Sequence, residues 1–287
     1  MNQSPALRIS PLLAQQGREE DLAYAPAPWV LKRCMETGII FLANPPGYEE
    51  LSETYAYERT FEQDAMARRL AEPLRYALSS LLKRFRARVM RRNKMLGMLR
   101  TLIGQSGAAR IDVLDIGCGW GELLDTLMAS LPPAVRQRVV PHGIEISRAL
   151  AQLSGDKLAP LGGRCVHAAA QEGLQHFGAQ AFDVIVMASF LEHEARPLAV
   201  LENSRKRLKP GGSIIVKVPN FACYNRMLRG ARWSGFRWPD HVNYFTPHTL
   251  RALAGKAGLE VVRMTALDTT RFSDNMYAVL RARAPGH

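Results

Sequence analysis

Val113-Leu114-Asp115-Ile116-Gly117-Cys118-Gly119-Trp120-Gly121 sets the reading of the whole chain. An apolar run, Ile111 to Ile116, meets glycines at alternate positions and passes into Glu122-Leu123-Leu124-Asp125-Thr126-Leu127, whose spacing is helical. The pattern predicts a buried strand that turns sharply into a helix. Glycine adopts positive φ readily and lets a ligand lie against bare main chain, so the cluster predicts a binding loop. A tight strand-to-helix connection that holds nothing is the alternative, and the residues downstream decide between the two.

From Ile111 onward strands and helices alternate, as in a parallel sheet with crossover helices. Strands are expected near Ile111–Ile116, Val139–Ile146, Gly163–Ala168, Phe182–Ala188 and Ser213–Val218, with helices after Gly121, after Ser147 and from Pro197 to Leu208. Lys209-Pro210-Gly211-Gly212 marks the turn into the fifth strand. Thr246-Pro247 supplies an N-cap and a first-turn proline, and Gly258 a C-terminal stop. Leu259–Ala266 and Met276–Ala282 complete seven strands.

Ligands of open α/β sheets bind beyond the carboxyl ends of the strands. Strand one ends in Asp115 and the glycine turn. Strand two, Pro141-His142-Gly143-Ile144-Glu145-Ile146-Ser147, ends in an acid that can accept both hydroxyls of a ribose. A helix-start acid offsetting a dipole is the competing role for Glu145. Dinucleotide sites need Gly-x-Gly-x-x-Gly, whereas this chain has Gly117-x-Gly119-x-Gly121, which argues against a pyrophosphate.

These two stretches resemble the first and second motifs of the class I S-adenosylmethionine-dependent methyltransferases. Phe182-Asp183-Val184-Ile185 leading to Leu191-Glu192-His193, and Leu208-Lys209-Pro210-Gly211-Gly212, are similar to the family's later motifs in the right order. Val218-Pro219-Asn220 with Asp240-His241-Val242-Asn243-Tyr244-Phe245-Thr246 resembles a bacterial subgroup near the ubiquinone-biosynthesis O-methyltransferases. So does Arg33-Cys34-Met35-Glu36-Thr37-Gly38-Ile39-Ile40-Phe41, where that subgroup often has a zinc-ribbon Cys-x-x-Cys. Thr37 replaces the second cysteine, so no metal is expected. The resemblance spans about residues 30 to 282. It implies an α/β fold: a Rossmann-like, seven-stranded, mostly parallel sheet with helices on both faces. An N-terminal helical cap is expected besides, because Tyr48 to about Gly104 reads as helical, with a break at Pro73.

The resemblance also implies roles. Asp115, Gly117, Cys118, Gly119 and Gly121 would hold the methionine part of S-adenosylmethionine, Glu145 the ribose and Ile146 one face of the adenine. Many relatives carry an acid after strand three for the adenine amino group; here Ala169-Ala170-Gln171-Glu172 stands there, leaving Ala170 and Gln171 as the candidates. Ser189 and Phe190 would lie by the reactive methyl. A sulfonium is already electrophilic, so in-line positioning supplies much of the acceleration, on the order of 7–11 kcal/mol in good geometry. A hydroxyl acceptor gains roughly 10²- to 10⁴-fold from a base. His193 and His241 are the candidate bases, with Glu192 a third, and loop hydrogen bonding is the alternative role for each.

The insert from Phe221 to about Phe245 carries Tyr224, Arg237, Trp238 and Tyr244 among other aromatic and arginine residues. It is expected to overhang the methyl-transfer end and, with Phe190 and Tyr57 of the helical cap, to form a pocket for a planar or lipid-like anionic acceptor. A surface loop anchored by buried tryptophan is the alternative. Residues 1–28 are expected to be a partly ordered lead-in, 29–105 a β-rich piece and cap, and 106–287 the nucleoside-binding domain.

The formal charge of +12 favours nucleic acid, anionic lipid or an acidic partner without choosing among them. Much of it lies in Lys83, Arg84, Arg86, Arg88, Arg91, Arg92 and Lys94, interleaved with apolar residues as in a basic amphipathic helix. Such a helix packs on its own domain or touches an anionic membrane surface. No nucleic-acid-binding signature accompanies it, so nucleic acid is not favoured. Four scattered cysteines indicate reduced thiols, and no run is long and apolar enough to cross a bilayer. With no signal-peptide pattern, a cytoplasmic location is expected. The leading expectation is methyl transfer to an oxygen or nitrogen of a small molecule. Methylation of protein or RNA, and a non-catalytic nucleoside-binding regulator, stand as alternatives. Oligomeric state is not legible.

Overall fold

The computed structural model describes residues 7–47 and 93–283. Tyr57, the helical pattern from Tyr48 onward up to residue 92, and the basic stretch short of Lys94 lie outside the described residues.

The chain enters through three short strands, β1 (Glu19–Asp21), β2 (Leu31–Cys34) and β3 (Ile40–Leu42), paired antiparallel in sequence order. The lead-in therefore contains a strand that its composition does not announce. Glu19-Glu20-Asp21 has no alternation of apolar and polar side chains. It is held instead by ladder hydrogen bonds and by ion pairs from Lys32 to Glu19 (3.0 Å) and Arg33 to Glu20 (3.3 Å).

Helix α1 (Lys94–Gln105) starts where Asn93 accepts hydrogen bonds from the amides of Met95 and Leu96. It buries Met95, Met98, Leu99 and Ile103, the three- and four-residue spacing of one helix face. That face packs with Ile111 and Val113 of β4 (Ile111–Ile116), a strand buried at every position. Then follow α2 (Glu122–Ser130), β5 (Val139–Glu145), α3 (Arg148–Leu158), β6 (Cys165–His167), the one-turn α4 (Ala170–Gly173), β7 (Phe182–Ala188), α5 (Pro197–Arg207) and β8 (Leu208–Pro219). After the insert, which holds α6 (Tyr224–Arg229) and β9 (Asn243–Tyr244), come α7 (Pro247–Lys256), β10 (Leu259–Arg263) and β11 (Asn275–Ala282).

The large sheet has the order β10-β11-β8-β7-β4-β5-β6, parallel from β8 to β6, with β11 antiparallel to both its neighbours. Apolar clusters cover both faces. Leu114 and Ile116 belong to one and Ile111 and Val113 to the other, the alternation a central strand requires. Strand order reverses at β4, so the crevice beyond its carboxyl end is where an open α/β sheet places a ligand. At the opposite end Lys209 bonds both Asp112 (2.9 Å) and Asp183 (2.6 Å), tying three strands together.

Three strands depart from their expected bounds by more than a single residue. Strand β6 is shorter than Gly163–Ala168, because the Gly163 amide donates to the Leu158 carbonyl (3.1 Å) at the end of α3 and not to β5. Strand β8 begins at Leu208, taking in the glycine pair; a Cβ on Gly212 would lie 2.9–3.2 Å from three backbone oxygens. Strand β10 stops at Arg263 and not Ala266, because Asp268 captures the Thr265 amide (3.0 Å) and hydroxyl (2.8 Å) in a turn. The capping box at Thr246 and Thr249 opens α7 as Thr246-Pro247 predicts.

A second sheet, β1-β2-β3-β9, joins the N-terminal strands to the insert through Ile40↔Tyr244 and Phe41↔Asn243. Leu31, Ile40, Phe221, Trp233, Phe236 and Tyr244 form its core. Among the described residues no helix is long and apolar enough to cross a membrane.

Candidate active site

The carboxyl end of β4 opens into a cleft of about 420 Å³, within the ordinary range for small-molecule sites. Its floor is the glycine turn. The amides of Gly117 and Cys118 both donate to the Ile144 carbonyl (2.8 and 3.2 Å), which folds the turn over β5. Gly117, Gly119 and Gly121 have φ of 73°, 54° and 75°, a region costly for side chains with a Cβ. Gly119 lines the cleft and nothing lies within 4 Å of where its Cβ would be, so bare main chain faces open space there. Gly121 caps α2 behind the cleft, its Cβ position 3.1 Å from the Ser154 hydroxyl, and serves packing.

Two carboxylates face this floor. Asp115 is 3% exposed, and its Oδ1 accepts no hydrogen bond from a described residue. Burial, with the Glu145 charge adding to it, pushes its carboxyl up to about 8. Glu145, also buried, accepts from the Gly119 amide through Oε2 (2.9 Å) and from the Ser147 amide through Oε1 (2.9 Å). These two bonds fix both carboxylate oxygens at the cleft wall, one on the glycine turn and one at the start of α3. Ile146, 38% exposed, lines the wall beyond, followed by Ala168, Ala169 and Ala170. Gln171 is not among the lining residues, and the small side chains of Ala168 to Ala170 stand at that part of the wall.

The far end is built by the loop after β7. Ser189, a residue with a Cβ, has φ 60°, a conformation that costs of order 1–3 kcal/mol and that tends to occur at functional sites. It turns the chain so that Phe190 and His193 reach the cleft. His193 Nδ1 lies 3.0 Å from the Asp240 carbonyl oxygen, which can only accept, so Nδ1 carries the proton and Nε2 keeps its lone pair. Burial and then the Arg237 charge hold its imidazole down at about 4, against the opposing Asp240 hydrogen bond, so the ring is neutral at pH 7.

His241 stands behind it, 5% exposed, rings 4.6 Å apart at 86°, with Nδ1 donating to the Gly235 carbonyl (2.8 Å). It does not line the cleft. Glu192 is 1% exposed, and burial pushes its carboxyl up to about 7 despite Lys217 and Arg237 nearby. Potential ligand atoms of Glu192, His193 and His241 lie within 4.8 Å of one another, a spacing at which a cation could be held.

The insert residues distribute differently from the expected pocket. Tyr244 is 1% exposed in the small-sheet core, and Trp238 stacks on Phe236 (5.2 Å) beside it. Neither lines the cleft, and the anchored-loop alternative describes them better because their apolar area is covered by the N-terminal strands. Tyr224 packs outside on Phe272 (5.1 Å). Arg237 pairs with Asp240 (3.1 Å), and Asp240 does line the cleft. Among the lining residues that the sequence reading did not assign to the site, four are charged: Glu122, Glu194, Lys217 and Asp240. Lys217 had a signal, a lone cation near the carboxyl end of the apolar run Ile214–Val218.

A seven-stranded sheet with one reversed strand, a glycine turn at its switch point and an acid ending the next strand define a class I S-adenosylmethionine-dependent methyltransferase. A family model described as a methyltransferase domain matches residues 66–264, and the chain belongs to that family. Curated relatives named ubiquinone biosynthesis O-methyltransferase include one from Cereibacter sphaeroides, 32% identical over 52% of this chain and 60% of its own length. Another, from Ruegeria pomeroyi, is 35% identical over 54% of this chain and 62% of its own. The chain thus spans about three fifths of the length of these relatives. Among solved structures, the CcbJ methyltransferase from Streptomyces caelestis superposes with a TM-score of 0.51 at 22% identity, covering 65% of this chain and 88% of that one, a likeness of fold.

Proposed function

We propose that this protein transfers a methyl group from S-adenosylmethionine to a hydroxyl oxygen of a small molecule. The observation that carries the reading is a neutral histidine, His193, lining the end of the cleft beyond the glycine turn with its Nε2 lone pair available. The cleft fits the donor: open main chain at Gly119, an unsatisfied buried carboxyl at Asp115 for a cationic ammonium, and Glu145 oriented for a ribose. When bound, S-adenosylmethionine supplies an electrophilic sulfonium methyl and needs no further activation.

The protein's part is position and proton. Ser189 and Phe190 shape the approach, His193 takes the acceptor's proton at Nε2, and His241 holds the His193 ring through their edge-to-face contact. Lys217, at the same end, offsets negative charge developing on the acceptor oxygen. The O-methyltransferase names of the curated relatives support oxygen over nitrogen.

Calorimetry with S-adenosylhomocysteine, followed by turnover on a panel of hydroxylated aromatic acceptors, tests this. His193→Ala is expected to lower kcat by roughly 10²- to 10⁴-fold with donor affinity unchanged. Absence of any nucleoside binding would sink the proposal, and binding without turnover on every acceptor would favour a non-catalytic regulator.

A further inference from the structure

The glycine turn carries a sulfur that methyl transfer does not use. Cys118 is buried, and its Sγ lies 3.6 Å from the Sγ of Cys165, the half-buried first residue of β6. The two residues are 47 positions apart and meet because one residue between them lacks a side chain. Gly143 pairs with Asp115 on β4 and with Cys165 on β6. A Cβ on Gly143 would lie 2.6 Å from the Cys118 sulfur and 3.1 Å from that of Cys165. Bare main chain on β5 thus leaves a shared space into which both thiols point. At 3.6 Å the sulfurs are in van der Waals contact, about 1.5 Å short of a bond.

We propose that Cys118 and Cys165 form an oxidation site, in which hydrogen peroxide converts the pair to a disulfide that distorts the glycine turn and weakens nucleoside binding. The consequence rests on the reading of that turn as the donor cradle. Cys165 is the more accessible of the two and reacts first. Its thiolate attacks one peroxide oxygen, the S–O bond forms, the O–O bond breaks, and the departing hydroxide is protonated to water. The Cys118 sulfur then attacks the Cys165 sulfur, the S–S bond forms, the S–O bond breaks, and hydroxide leaves as water with the Cys118 proton. Two thiols and one peroxide give one disulfide and two waters, the sulfurs losing the two electrons that the peroxide gains.

The turn transmits the closure. The Cys118 thiol contacts the Ser154 hydroxyl (3.6 Å), which donates to the Gly119 carbonyl (2.7 Å), while the Gly119 amide holds Glu145 (2.9 Å). Drawing Cys118 toward β6 shifts Gly117 and Gly119 on either side of it and loosens the acid that faces the ribose.

The test uses the full chain, reduced or treated with hydrogen peroxide, with remaining thiols alkylated before peptide mapping and with S-adenosylhomocysteine titrated into each form. The expected result is a Cys118–Cys165 linked peptide together with a dissociation constant raised roughly tenfold or more, both reversed by dithiothreitol. Cys165→Ser should bind like the reduced protein and ignore peroxide. A normal reduced site with no link, or a link that leaves affinity unchanged, overturns the proposal. If the reduced protein fails to bind while the link still forms, the reading of the turn as a donor site falls, and the switch with it.

Discussion

On the donor-binding role proposed for Asp115, affinity for the donor is a function of pH. Its carboxyl is buried beside Glu145 and pushed up to about 8, so the free protein at pH 7 holds it mostly protonated. A cationic ammonium set against Oδ1 binds the ionised form. Below about 8 the ionised fraction falls about tenfold per pH unit, and each unit is worth about 1.4 kcal/mol. The sign follows directly: affinity for S-adenosylhomocysteine should rise as pH rises, by roughly a hundredfold from pH 5.5 to 7.5, and level off near pH 8. Binding at pH 7 should release close to one proton, read by calorimetry in two buffers of different ionisation heat. Glu192, raised to about 7, titrates nearby, and Asp115→Asn separates the two. That variant should bind weakly at pH 8 and lose the slope. A flat affinity profile in the native protein, or an unchanged slope in Asp115→Asn, would refute the assignment.

The neutral His193 predicts that, at saturating donor, kcat/KM for the acceptor holds down to about pH 5 and falls as the ring protonates near 4; an inflection at the ordinary histidine value of about 6.5 would contradict the buried, Arg237-facing ring. Proton acceptance by His193 also predicts turnover that survives a chelator, and activity lost to chelator and restored by a divalent cation would recast Glu192, His193 and His241 as its ligands. Asp268 is 1% exposed, yet Lys94, the Thr265 amide and hydroxyl, and Arg263 outweigh the cost of burial and hold its carboxyl down to about 2. Its contribution is therefore complete above the unfolded value near 4 and lost as pH falls through about 2, and Asp268→Asn should cost about 2–3 kcal/mol in denaturant melts at pH 7; a change under about 0.5 kcal/mol would show the network to be replaceable.

What could be read in advance was what depends on local chemistry. Asp115, Gly117, Gly119 and Glu145 sit within strands and turns whose periodicity names them, and the sheet places them at one cleft, with Gly121 just behind it. The charged strand β1 was invisible because salt bridges and ladder bonds, rather than alternating side chains, hold it. The pairing of β3 with β9 joins residues some 200 positions apart, and nothing local in Asn243-Tyr244 marks the partner. For the same reason the aromatic residues of the insert suggested a pocket: composition shows that they bury area, but only the N-terminal strands show against what. The order of the two histidines was equally closed to inspection, since both fall in loops and only the fold puts His193 forward and His241 behind.

The two ends of the cleft are therefore specified in different ways. The end proposed for the donor is made of main chain and two carboxylates on consecutive parallel strands, so its geometry follows from the sheet itself. The acceptor end hangs on tertiary clips. Asn243 donates to the carbonyls of Leu191 (2.8 Å) and Glu194 (2.7 Å), and the amides of Val242 and Asn243 donate to the Glu192 carbonyl (2.7 and 3.0 Å). These bonds tie the strand shared with the N-terminal sheet to the loop that carries His193. Changes in the N-terminal strands or in the insert are thus expected to act first on the His193 loop, and Phe190, which lies against Gly117, is its point of contact with the glycine turn. On the roles proposed for these residues, acceptor choice depends on tertiary clips that the glycine motif does not contain, and the motif is silent about the acceptor for that physical reason.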